Sequence, residues 1–114
     1  MELKAAAQCL EKLGNPARLE VFRLLVRAGE SGLSVGEIQQ HLRIPASTLS
    51  HHLAQLSRAG LLIQTREGRV LRCSPNWKLM DEVIGFLTAE CCVLAEPGAS
   101  RDKNKKKSAT AAAG

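Results

Sequence analysis

Three residues, Arg43-Ile44-Pro45, separate two short stretches of helical apolar spacing, and that close succession constrains the fold more than any other feature of the chain. On the N-terminal side, Ser34-x-x-Glu37 is a capping-box pattern, so a helix opens there and runs over about residues 35–42 with Val35, Ile38 and Leu42 on one face. On the C-terminal side, Leu49, Leu53 and Leu56 recur at helical spacing and give way to Gly60, which predicts a helix over 46–59. Two short helices joined by so tight a turn form a helix-turn-helix candidate.

The flanking segments complete a small domain. Leu3, Ala6, Leu10 and Leu13 predict a first helix with one buried stripe, ending at Gly14. Asn15-Pro16 supplies a cap and a first-turn proline for a second helix over 16–28, with Leu19, Phe22, Leu25 and Val26 facing inward and Gly29 as its stop. Residues 61–66 and 70–74 flank Glu67-Gly68-Arg69, a three-residue hairpin loop, and this pair of strands would be a wing. Trp77, Met80, Ile84, Leu87, Cys91 and Leu94 extend a last helix from about 76 to 94 before Pro97-Gly98 ends it. The expectation is a mainly α winged helix-turn-helix domain over residues 1–96, with a small β-hairpin, followed by a disordered basic tail over 97–114.

Composition narrows the function. At 114 residues the chain is one domain long, too short for separate catalytic and regulatory parts, and a domain of this size commonly gains burial by pairing. His41, His51 and His52 all fall in the helix-turn-helix half, and no Gly-rich phosphate loop or Ser-His-acid pattern occurs, so no enzyme is expected. Tyrosine is absent and Trp77, Phe22 and Phe86 are the only aromatics, too few to stack single-stranded bases; a nucleic-acid partner is then double-stranded. No apolar run approaches the roughly 20 residues of a membrane span, and Met1 to Leu13 has no export-type stretch, which points to a cytoplasmic protein with no membrane partner. In that setting the four cysteines are reduced thiols rather than a disulfide framework.

The net charge of +5 is spread unevenly. Residues 1–42 balance, 43–78 carry six basic side chains against Glu67 alone, and 79–100 carry only acidic ones. A charge run is ordinarily a solvated face, but a basic middle third is also the footprint of a phosphate-binding surface. At 100° per residue, Leu49, Leu53 and Leu56 point one way from the 46–59 helix while Ser47, His51, Ala54 and Arg58 point the other, with Ser50 and Gln55 on the flanks. Such a helix fits a major groove about 12 Å wide, where Ser, Gln and Arg reach base edges and Thr48 and the helix start meet phosphate. His51 suits either contact. Arg66, Arg69 and Arg72 on the hairpin suit phosphate or the minor groove. The plainer alternative is a polar helix that faces only water.

Leu-Gly-Asn-Pro-Ala-Arg-Leu at 13–19, Ser-Thr-Leu-Ser-His-His-Leu at 47–53 and Leu-x-x-Ala-Gly-Leu-Leu at 56–62 together resemble the ArsR/SmtB family of winged-helix repressors, over roughly residues 3–95. The resemblance implies a homodimer joined by its first and last helices, operator binding by the 46–59 helix and wing, and release when an effector binds. Within that pattern Ser47, Thr48, Ser50, His51 and His52 fall in the DNA-reading segment, although the helical wheel places His52 nearer the core. Two of the family's metal sites are missing: residues 33–38 hold no Cys-x-Cys pair, and the last helix has no histidine to pair with its carboxylates.

What the last helix does hold is Cys91-Cys92, in Thr-Ala-Glu-Cys-Cys-Val, which resembles the tail-end motif of family members that sense arsenicals. Soft thiolates favour thiophilic ions, so trivalent arsenic or antimony is the implied effector, with no constitutive cofactor. Neighbouring side chains of a regular helix diverge by 100°, so joint ligation requires a loosened last turn or a third sulfur, from Cys9 of a partner chain or from Cys73. Cys91, on the apolar stripe, also suits a plain core position, as do Cys9 and Cys73. Three alternatives remain open at this stage: a thiol redox-sensing repressor of the same fold, a winged-helix module for protein contact alone, and a protein that sequesters arsenicals.

Overall fold

The computed structural model describes residues 1–95; the end of the expected domain at residue 96 and the tail over 97–114 lie outside them. The helices are α1 (Leu3–Leu13), α2 (Pro16–Ala28), α3 (Val35–Leu42), α4 (Ala46–Arg58) and α5 (Trp77–Thr88), and the strands are β1 (Leu33–Ser34), β2 (Leu62–Glu67) and β3 (Val70–Pro75). Local chemistry sets most of the boundaries. The Asn15 side chain accepts from the Arg18 amide at the start of α2, with Pro16 in the first turn. Ser34 and Glu37 form the reciprocal capping box of α3 at 3.1 and 2.9 Å. Between α3 and α4 the chain turns through Arg43 in the left-handed region, φ 53°, and Gln39 Nε2 donates to the Ile44 carbonyl at 3.3 Å to close the turn.

The core gathers around α2. Val21 and Leu25 are fully buried with Ile38 of α3, Leu49 and Leu56 of α4, Leu61, and Cys73 of β3. The three strands form one antiparallel sheet in the order β1-β3-β2. Strand β1, paired Leu33 to Cys73 and Ser34 to Arg72, has no counterpart in the sequence reading, because two residues carry no periodicity. The hairpin loop is two residues rather than three: Glu67 pairs with Val70, and Gly68 takes φ 64° at the first loop position.

Both terminal helices depart from their expected burial. On α1 the buried side chains are Ala6 and Cys9, whereas Leu3 and Leu10 are 75% and 40% exposed. The small face packs inward, where the Cys9 thiol lies 3.9 Å from the Ala59 carbonyl; Leu3 and Leu10 point out, and Leu13 is half-buried against the core. On α2 the inward set is Val21, Phe22, Leu24 and Leu25, with Leu19 exposed. Helix α5 ends at Thr88, six residues short of the expected 94. Thr88 Oγ1 bonds back to the carbonyls of Ile84 and Gly85, a local competitor of helical geometry, and residues 89–95 continue in turns. Ile84, Leu87, Val93 and Leu94 are exposed, so no burial within the protomer holds further turns in place.

Gly32 is the tightest point of the sheet. It has φ 67°, and a Cβ there would stand 2.3 Å from the Cys73 carbonyl oxygen. Gly32→Ala should destabilise the protein by about 2–4 kcal/mol, through strain at positive φ together with displacement of β3. Gly36→Ala, whose Cβ would meet only Ser34 Oγ at 3.9 Å, should be neutral or stabilise by up to about 1 kcal/mol. Chemical denaturation of the two variants checks the contrast.

Candidate nucleic-acid interface

Helix α4 is held in one rotational setting by its buried side, Leu49, His52, Leu53 and Leu56. The opposite side is solvent-facing: Ser47, Thr48, Ser50, His51 and Arg58 are exposed, and Gln55 is half-buried. The structure thus brings the sequence-predicted residues of this helix onto one surface. Gln55 and Arg58 also line a polar groove with Gln8, Glu11 and Lys12 of α1, which ties the end of α4 to the first helix. At its start α4 has Pro45 in the cap position and no side-chain cap. The first-turn amides of a helix have no intrahelical acceptor and carry partial positive charge, which makes this end suited to an anion.

The wing divides the three arginines assigned to it. Arg66 and Arg69 are exposed, Arg69 within the two-residue loop. Arg72 is half-buried and already engaged: its Nε lies 3.2 Å from Glu67 Oε1, and its Nη1 lies 3.9 Å from Glu37 Oε1 and donates to the Ser31 carbonyl at 3.4 Å. Glu37 is the residue the sequence reading missed in this setting. Its capping role was legible from Ser34-x-x-Glu37, but nothing local signals a partner 35 positions away.

His52, on the family's reading segment but placed nearer the core by its helical phase, is buried, and its Nδ1 has no hydrogen-bond partner among the described residues. Burial pushes its pKa down, and the positive charges of Arg18 and His51 add to that. The His51 ring lies 5.9 Å away, centroid to centroid, and faces solvent.

The thiols fall into two groups. Cys9 and Cys73 are buried, and burial raises both pKa values, disfavouring the thiolate; Gln64 Nε2 lies 3.8 Å from Cys73 Sγ. Cys91 and Cys92 are exposed in the turns beyond α5, with Cys92 at φ 66° and the two Sγ atoms 3.2 Å apart. The divergence expected of a regular helix does not arise, because the helix has already ended. Among the described residues no three His, Cys, Asp or Glu side chains of one protomer cluster closely enough to hold a metal ion. No helix among them is long and apolar enough to cross a membrane.

An exposed polar helix in a helix-turn-helix unit, flanked by a β-hairpin with basic side chains, defines a winged helix-turn-helix protein. Comparison with known proteins agrees. A family model described as a helix-turn-helix domain matches residues 13–65. The transcriptional repressor PagR of Bacillus anthracis is 31% identical over 76% of this chain and 85% of its own. The putative arsenical resistance operon repressor ArsR of Halobacterium salinarum is 37% identical over 59% of this chain and 51% of its own. The solved structure of HlyU from Vibrio cholerae superposes with a TM-score of 0.64 at 30% identity, covering 81% of this chain and 99% of that one. The chain belongs to the ArsR/SmtB family of winged helix-turn-helix transcriptional regulators, and its kind of partner is DNA.

The depressed pKa of His52 has a consequence for stability. The unfolded chain takes up a proton near pH 6.5 while the folded chain resists it, so the stability associated with neutral His52 is complete above that pH and is lost as pH falls through the lower folded value. Glu37, held below the usual carboxylate range by its hydrogen bonds to Ser34, loses its contribution only further down, below about pH 4.5. The melting temperature should therefore fall in two stages on acidification. His52→Gln should remove the upper stage and leave the lower, as read by thermal melts between pH 7.5 and 3.5.

Proposed function

We propose that this regulator is a homodimeric repressor that reads operator DNA with α4 and the wing and is released by a trivalent arsenical or antimonite bound at Cys91 and Cys92. The observation that carries the effector assignment is the exposed thiol pair with its sulfurs 3.2 Å apart. At metal–thiolate bond lengths of about 2.3 Å, as for zinc, one soft ion reaches both sulfurs, and thiolates favour such ions. The relative from Halobacterium salinarum, named as a putative arsenical resistance operon repressor, supports the same reading. A third sulfur, where an ion demands one, would come from Cys9 of the partner chain or from Cys73, both of which must then leave buried positions.

Support for the dimer comes from apolar surface that the protomer leaves uncovered. Leu3 and Leu10 of α1 and Ile84 and Leu87 of α5 are exposed, and α1, α2 and α5 enclose an apolar groove of about 390 Å³ lined by Leu10, Phe22, Met80 and Ile84 among others. A contiguous apolar surface of this kind is a cost to a monomer and marks an interface. A two-fold dimer places two copies of α4 on half-sites about 34–36 Å apart. The turns that carry the thiols follow directly on α5, whose exposed Ile84 and Leu87 belong to this apolar surface, so reshaping them would alter the spacing of the two reading helices.

DNA reading should divide by residue. On a duplex selected by the wild-type protein from a random library, alanine at Ser50, His51 or Gln55 should cost about 1–3 kcal/mol where the residue reads a base. Arg69→Ala should instead weaken all duplexes alike and reduce the salt slope. Equal losses on selected and random duplexes for all four variants would show that α4 does not read sequence. Sedimentation at micromolar concentration should give a dimer, and a monomer that still binds the selected duplex would contradict the assembly.

Release should follow the thiol pair. Saturating arsenite or methylarsenite should weaken binding roughly 5- to 150-fold, and DNA should weaken arsenical binding by the same factor. Cys91→Ser and Cys92→Ser should each abolish release and leave DNA binding unchanged. Release that persists in the double variant would overturn the site. Release of the wild-type protein by peroxide but not by arsenicals would identify the same pair as a redox switch.

A further inference from the structure

Arg72 differs from Arg66 and Arg69, the other wing arginines, in being half-buried and engaged by carboxylates within the protein. It sits on the central strand of the sheet, opposite Ser34 of β1 on one side and Thr65 of β2 on the other. Its guanidinium lies between two carboxylates, Glu67 of the hairpin and Glu37 of α3, and reaches the Ser31 carbonyl in the loop before β1. We propose that Arg72 is a positioning residue: it fixes the wing against the first turn of α3 and so sets where Arg66 and Arg69 stand relative to α4, rather than contacting phosphate itself. The proposal rests on the reading of α4 and the wing as the DNA surface.

Three features support it. Strand β1 is only two residues long, so its ladder alone is a weak tether between the hairpin and the helix-turn-helix unit. Glu37 is a fixed partner, because the oxygen that faces Arg72 also accepts from the Ser34 amide at 2.9 Å, and the capping box holds that carboxylate in place before any ion pair forms. Finally, a phosphate that approached this guanidinium would meet Glu37 and Glu67 as well, whereas Arg66 and Arg69 are exposed in the outer part of the hairpin. One carboxylate hydrogen-bonded to the guanidinium and a second 3.9 Å away leave it little net charge to offer an anion.

The capping box supplies a clean substitution. Glu37→Gln keeps a residue that serves in the box and removes only the charge that Arg72 meets. Hydrogen exchange of the free protein and titration of the selected duplex at several salt concentrations read the two consequences separately. Arg72→Gln and Glu37→Gln should each speed amide exchange several-fold in β1 and β3. Each should also weaken duplex binding about two- to fivefold, with the slope of log K against log salt unchanged. The double variant should bind no more weakly than Arg72→Gln alone. Arg72→Lys should behave like Arg72→Gln, since a single ammonium cannot reproduce the separate Nε and Nη1 contacts to Glu67, the Ser31 carbonyl and Glu37. Arg69→Gln should do the reverse, lowering the slope by about one and leaving exchange untouched.

Unchanged exchange in both Arg72→Gln and Glu37→Gln overturns the proposal whatever the DNA titration shows. So does a slope lowered by about one in Arg72→Gln and restored in Arg72→Lys, or tighter binding by Glu37→Gln. Absence of salt-dependent duplex binding by the wild-type protein would instead overturn the DNA reading on which the proposal rests.

Discussion

The burial of Leu49, Leu53 and Leu56 against α2 is the contact on which the rest of the structure depends. A helix packed by one stripe has one rotational setting, and a change of a single residue in phase turns its surface by 100°. With Leu49 and Leu56 fully buried, Ser47, Ser50 and His51 have no orientation available except toward solvent. Helix α3 contributes through Ile38, and its capping box fixes where it begins, so the two helices of the unit are referred to the same core. The chemistry offered to a nucleic acid is thus decided from behind, by apolar side chains that never meet it.

Features determined within a few residues were legible in the sequence. The Asn15-Pro16 start of α2, the Ser34–Glu37 box and the leucine spacing of α4 each need only their own neighbourhood, and each stands in the structure where the pattern places it. Features that depend on distant partners were not. Strand β1 exists because Leu33 and Ser34 meet β3, some forty residues on, and Arg72 is drawn to Glu37 by that pairing rather than by anything beside it in the chain. The apolar stripe read on α1 holds at Ala6 and Leu13 but not at Leu3 and Leu10, and the protomer buries Cys9 beside Ala6, because close approach to the neighbouring helices favours small side chains. Extending the α5 stripe through Cys91 and Leu94 overran the helix for the opposite reason: periodicity persists in the sequence where nothing in the protomer packs against it.

The same distinction separates the cysteines. Cys9 and Cys73 act as small apolar residues of the core, with pKa values raised by their surroundings, and their sulfurs serve packing. Cys91 and Cys92 lie where the backbone has left helical geometry, and it is this departure, including the left-handed Cys92, that brings adjacent side chains together. In a continuous helix the two sulfurs would diverge. The early end of α5 is therefore what lets the two sulfurs approach each other without a third.

The bare start of α4 bears on how such a protein evolves. Pro45 leaves the first-turn amides without the side-chain acceptor that Asn15, Ser34 and Asn76 give α2, α3 and α5. A serine or aspartate cap there would stabilise the isolated fold by about 1 kcal/mol. It would also occupy the donors that an incoming anion needs, and an aspartate would repel that anion outright. Selection for a more robust protein and selection for a tighter grip pull in opposite directions at this position, so this uncapped helix start is one that increased thermostability would be expected to alter late.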